Sequence, residues 1–127
     1  MADPTSEIPL LKGNAITIAT ADLDKYYELL KIQADPNRIL YVRDIYVELD
    51  DTTSLPEFKV DLNGTTYLKD FPVFSTAAGI AGFGGHLRSV DGKDPIVVYV
   101  RKTAAGAGAI RVGCIVTGIQ VPKSSLP

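Results

Sequence analysis

Apolar and polar positions alternate with a period of two along most of this chain, and that period predicts strands. Ile16 and Ile18, separated by Thr17, open a first strand within Ala15 to Ala21. The densest run is Ile39 to Leu49. Its residues Ile39, Tyr41, Ile45, Val47 and Leu49 fall on one face, interrupted by Arg43. Leu40, Val42, Asp44, Tyr46 and Glu48 fall on the other. Phe58, Val60 and Leu62 alternate with Lys59 and Asp61, then Asn63-Gly64 leads into Thr65-Thr66-Tyr67-Leu68. An Asn-Gly pair between two alternating runs predicts a hairpin, because both residues accept positive φ. Ile96 to Arg101 follows the turn Asp91-Gly92-Lys93-Asp94. Ala109 to Val121 is apolar on both sides: Ile110, Val112, Cys114 and Val116 on one, Ile115, Ile119 and Val121 on the other. Such a strand lies in the middle of a sandwich or is covered by a partner. Its Gly113 and Gly118 mark bulges or close backbone contacts.

Three segments are less regular. Leu23, Tyr26, Tyr27, Leu30 and Ala34 have helical spacing, with Asp22 placed to cap. Leu30, Ile32 and Ala34 equally alternate with Lys31 and Gln33. The turn Asp35-Pro36-Asn37-Arg38 and the strong strand after it favour the strand. Ser75 to Gly85 is rich in Ala and Gly and reads as a long loop that another backbone can approach closely. Met1 to Asn14 holds Pro4, Pro9 and Gly13 around Ile8, Leu10 and Leu11. The prolines oppose a helix, so this segment reads as an arm that packs on its own domain or on a neighbour. The expectation is an arm over residues 1–14 and an all-β domain over 15–127. That domain is a single antiparallel β-sandwich, jelly-roll-like, of about eight short strands.

Length and composition agree with one globular domain: 127 residues, 46% hydrophobic. With 13 basic and 15 acidic residues, the net charge of −2 gives no electrostatic reason for a nucleic acid or an anionic membrane as partner. No apolar run approaches the roughly 20 residues of a membrane span. Cys114 is the only cysteine, which rules out an intrachain disulfide and a Cys-rich zinc site. Met1-Ala2-Asp3-Pro4 has no basic region leading into an apolar stretch, so no leader is expected and synthesis in the cytoplasm is.

Candidate chemistry is sparse. His86, the only histidine, has no His partner at ligand spacing, so a loop histidine is the simpler reading. Asp50-Asp51 and Asp22-Leu23-Asp24 offer oxygen ligands without a calcium loop around them. Gly82-Phe83-Gly84-Gly85 lacks the Lys-Ser/Thr that a phosphate cradle needs. Asn63-Gly64-Thr65 matches a glycosylation acceptor, but the turn explains the same residues. Tyr26, Tyr27, Tyr41, Tyr46, Tyr67 and Tyr99 could form a sugar platform, though half-buried packing is the commoner use of strand tyrosines. A cupin-like enzyme is disfavoured by the lone histidine. No catalytic, metal or cofactor site is therefore expected. The expected contact residues are apolar: Ile8, Leu10 and Leu11 of the arm, Ile80 and Phe83 of the Gly/Ala-rich stretch, and Ile115, Ile119 and Val121 of the last strand.

The stretch Leu29-Leu30-Lys31-Ile32-Gln33-Ala34-Asp35-Pro36-Asn37-Arg38-Ile39-Leu40-Tyr41-Val42-Arg43-Asp44-Ile45-Tyr46-Val47 resembles the strand–turn–strand opening of small phage-type structural β-sandwiches. Ala34-Asp35-Pro36-Asn37-Arg38 stands where those have a Pro-Ala-Gly-Lys-like turn. Asn63-Gly64-Thr65-Thr66 and Val116-Thr117-Gly118-Ile119 fit the same type, so the similarity runs from about Tyr26 to Val121. The resemblance implies a decoration or cement protein of the virion. Such a protein binds the outside of a capsid, contacts the major capsid protein and commonly forms a homotrimer. The alternative is a non-catalytic ligand- or carbohydrate-binding sandwich of a phage tail or receptor-binding protein.

Overall fold

Two antiparallel sheets face each other across one apolar core in the computed structural model, which describes residues 7–21, 23–62, 65–73, 77–80, 88–106 and 108–122. The strands are β1 (Ile8–Ile18), β2 (Tyr27–Ile32), β3 (Arg38–Leu49), β4 (Glu57–Leu62), β5 (Thr65–Pro72), β6 (Ala77–Ile80), β7 (Arg88–Val90), β8 (Ile96–Arg101) and β9 (Ile110–Pro122). The first sheet runs β1-β9-β3-β6, with β7 also paired to β3. The second runs β2-β8-β4-β5. The described residues thus hold nine strands where about eight were expected.

Three sequence expectations change. The first strand starts at Ile8, not Ala15, and pairs without a register shift from Ile8↔Gln120 to Ile18↔Ile110. Pro9 and Gly13 suggested an arm, but a proline costs an edge strand no ladder bond when its missing N–H would face outward. Ala77–Ile80, read as loop, forms β6 opposite Ile45–Glu48. There the low β-propensity of Ala and Gly gives way to pairing with a strong neighbour. The third concerns β3. Its side chains in the core between the sheets are Leu40 and Val42 before Arg43, then Ile45, Val47 and Leu49 after it. A register shift against β9 between Val42 and Asp44 makes exposed Arg43 an extra residue and flips the alternation. Gly118, opposite Val42, makes this possible: a Cβ there would lie 2.1 Å from the Tyr41 carbonyl oxygen.

Other expectations hold. The strand chosen over a helix on the alternation of Leu30, Ile32 and Ala34 is realised as β2, Tyr27–Ile32, antiparallel to β8. β4 and β5 pair up to Leu62↔Thr65; the Asn63-Gly64 turn itself lies outside the described residues. β9 is central, between β1 and β3.

The core draws Ile45, Val47, Val112, Cys114 and Val116 from the first sheet and Phe58, Val60, Ile96, Val98 and Val100 from the second. At one end of the sandwich a buried lysine does a polar job. Lys102 donates from Nζ to the carbonyl oxygens of Ala19 (3.2 Å), Thr20 (3.0 Å) and Gly108 (3.1 Å). It so ties the β1–β2 connection to the β8–β9 connection, and these bonds offset the cost of burying its charge. The Ser54 carbonyl adds a further tie, accepting from the N–H groups of Thr103 and Ala104.

Candidate functional site

The outward side of the first sheet is the best candidate surface. Cross-strand register places Gly13 and Tyr46 on either side of Ile115, and Gly79 beyond Tyr46. The next row sets Ala15, Gly113, Glu48 and Ala77 side by side. Small residues therefore stand beside two large ones. Tyr46 is 50% exposed and Ile115 47%. Between them lies a depression of about 400 Å³, lined by Gly13, Ala15, Gly113, Ala77, Tyr46 and Ile115 among others. A second depression of about 340 Å³ shares Ala15, Glu48 and Gly113 and is bordered by Asp50 and Arg111. Leu11, on β1 opposite Thr117, is 71% exposed. A contiguous apolar surface with a polar border is the ordinary signature of a protein-contact face.

The predicted contact residues divide here. Leu11 and Ile115 sit on this face, and Ile119 is half-buried between Pro9 and Tyr41. Val121 is half-buried opposite Ile39, and Ile8 is exposed at the start of β1. Leu10 is turned into the core. Its neighbour Leu11 takes the surface, as alternation along a strand requires. Ile80 belongs to β6 opposite Ile45, and Phe83 lies outside the described residues, as does His86. Tyr46, Gly13, Ala15 and Ala77 were not among the predicted contacts. Only the register between strands distant in sequence brings them together.

The outward side of the second sheet is built differently. The Lys59 ammonium lies 4.7 Å from the Tyr26 ring centre and 4.5 Å from that of Tyr99. The Arg101 guanidinium sits 4.7 Å from the Tyr26 centre and donates from Nε and NH2 to Glu57 Oε1 at 3.0 and 2.6 Å. At the β2 edge, Lys25 lies 4.9 Å from the ring centre of Tyr27, which itself packs against the core. Burial, then the Asp61 and Glu28 carboxylates, raise the Tyr99 phenol above its ordinary value. Cations thus stand over Tyr26, Tyr27 and Tyr99 at stacking distance, and a sugar ring stacking there would have to displace them. Cys114 faces the core, and burial pushes its thiol up to about 12, so it carries no nucleophilic thiolate near neutral pH. Among the described residues there is no cluster of three or more metal-ligating side chains.

No family model matches the chain, and no curated protein matches it in sequence. Solved structures do share its fold. The crystal structure of FLHE superposes with a TM-score of 0.53 at 10% identity, covering 91% of this chain and 97% of that one. A chain of the acid-stable capsid structure of Helicobacter pylori bacteriophage KHP30 gives 0.51 at 12% identity, covering 91% and 98%. A chain of the cyanophage Pam1 capsid asymmetric unit gives 0.47 at 16% identity, covering 92% and 91%. For the FLHE structure and the KHP30 chain the likeness is one of fold.

Proposed function

We propose that this protein is a structural component of a virus particle, a decoration or cement protein that binds the outer capsid surface and stabilises the shell. The observation that carries the reading is the apolar outer face of the first sheet, with Leu11, Tyr46 and Ile115 standing above a floor of small residues. Its mechanism is burial of that apolar area against the shell, at roughly 25 cal/mol per Å² before the costs of association. Two further points support it. Set the three-residue β7 aside and number the other eight strands in chain order. The sheets then read 1-8-3-6 and 2-7-4-5, an order that supports a jelly roll. The KHP30 capsid chain also matches over nearly the full length of both chains. Fold alone does not fix function; the contact face makes the structural reading the stronger one. It carries forward the major capsid protein as partner and the virion surface as location.

The test uses purified shells of the encoding virus lacking this protein. Adding the wild-type chain is expected to raise the temperature at which shells break, and the chain should co-sediment with them. Ile115→Asp, which places a charge on the contact face, should weaken co-sedimentation by about a hundredfold, the scale of an interface hot spot. Equal co-sedimentation of the two, or none with wild type, overturns the reading.

A further inference from the structure

We propose that β1 pairs with itself: two copies of this chain join edge to edge, β1 antiparallel to β1, about a two-fold axis at Gly13. This goes beyond attachment to a shell and does not depend on it.

The observation is the contrast among sheet edges. β1 bonds β9 on one side and no described strand on the other. It is 11 residues long, has no register shift against β9, and carries one charge, Lys12; its one proline, Pro9, stands at the second position and leaves Leu10 to Ile18 free of proline. The other edges are guarded. β2 has six residues and a register shift between Glu28 and Leu30. The Asn14 amide donates to the carbonyl of the intervening Leu29 at 2.8 Å. β6 and β7 have four and three residues. β5 meets β4 through two register shifts and ends on Pro72. Bulges, shortness and proline protect edges from pairing; a long, regular, nearly uncharged edge invites it.

The sequence of β1 fits a second copy of itself. Gly13 is the midpoint of Ile8–Ile18, so a register centred there pairs Leu10 to Ile16 with the same residues of the second copy and leaves Pro9, which has no N–H to donate, opposite Thr17 outside that run. It sets Leu11 opposite Ala15 of the second copy, beside Gly13, so the most exposed of the described leucines covers the smallest residues of the strand. It sets Lys12 opposite Asn14, whose amide oxygen can accept from the ammonium. Centring on Lys12 would bring like charges together, which destabilises a pair. Centring on Leu11 or Asn14 would set Lys12 against Leu10 or Ile16. The symmetric contact is isologous and closes after two copies. It joins two apolar outer faces into one surface.

Sedimentation velocity on the full chain tests this. The expected result is a monomer–dimer equilibrium that Leu11→Lys weakens about tenfold or more, since the change enters the contact twice. Register is tested by oxidation of the double variant Leu11→Cys/Ala15→Cys against Leu11→Cys/Thr17→Cys, with wild type controlling for buried Cys114. Within one chain residues 11 and 15 are roughly 13 Å apart, beyond the reach of a disulfide. A covalent dimer is expected from the first pair and not from the second. A wild-type monomer at high concentration, a trimer indifferent to Leu11→Lys, or cross-linking alike in both variants overturns the proposal. Loss of shell binding with an intact dimer would count against the proposed function alone.

Discussion

The two outer faces of the sandwich solve the same problem in opposite ways. On the second sheet the described large side chains of the outer face have partners within the chain: Lys59 over Tyr26 and Tyr99, Arg101 on Glu57. On the first sheet Tyr46, Ile115 and Leu11 stand in solvent beside glycines and alanines. Charges that satisfy one another make a face that is finished in water. Apolar side chains over a small-residue floor make one that gains free energy when covered. The difference teaches which face to test for partners. Substitutions on the first should alter association and leave stability within about 0.5 kcal/mol. Substitutions on the second should do the reverse.

The largest effect is expected just behind the contact face. Cys114 points inward one residue before Ile115 points outward. Below about pH 8.5 its thiol is protonated in both the folded and unfolded states. Above that the unfolded chain loses the proton, while the folded chain keeps it until about pH 12. Stability should therefore fall with rising pH across this window, by up to about 1.4 kcal/mol per unit for one proton. Urea unfolding at pH 7.5, 9 and 10 should show the slope, and Cys114→Val should reduce it. An equal slope in the variant would assign the alkaline loss to other groups. A smaller effect is expected from Tyr26→Ala, which removes the ring under Lys59 and Arg101. It should cost about 1–2 kcal/mol in chemical denaturation and leave shell binding unchanged. Reduced binding would mean that the second face also makes contacts. The smallest is Glu57→Gln. Its ion pair with Arg101 is partly exposed, and its loss should cost about 0.5 kcal/mol, diminishing in high salt. A cost that salt does not change would mean that packing, not charge, holds the pair.

Much of this architecture is written locally. Two sides of β9 are apolar in the sequence, and the structure buries Ile110, Val112, Cys114 and Val116 while leaving Ile115 exposed. The alternation around Asn63-Gly64 anticipates the β4–β5 pairing for the same reason: side-chain period and turn chemistry are properties of adjacent residues. What escaped depends on neighbours far along the chain. Arg43 looks like a flaw in a face until Gly118 opposite lets the strand bulge. Ala77–Ile80 has no strand character of its own and acquires it from Ile45–Glu48. The contact face is the extreme case. Gly13, Tyr46, Ala77 and Ile115 come from four strands, and only their register makes them a surface. Lys102 belongs with them, since a lysine after an apolar strand ordinarily suggests solvent.

That lysine has a practical consequence. An amine-acylating reagent reaches exposed lysines directly, but Lys102 is wholly buried and its nitrogen is held by carbonyl oxygens on two connections. It becomes reactive only when those connections part. The chain thus carries an internal clock: the labelling rate at this one nitrogen counts how often that end of the sandwich opens. The same measurement on a shell-bound sample would report whether attachment at the outer face of the first sheet slows it.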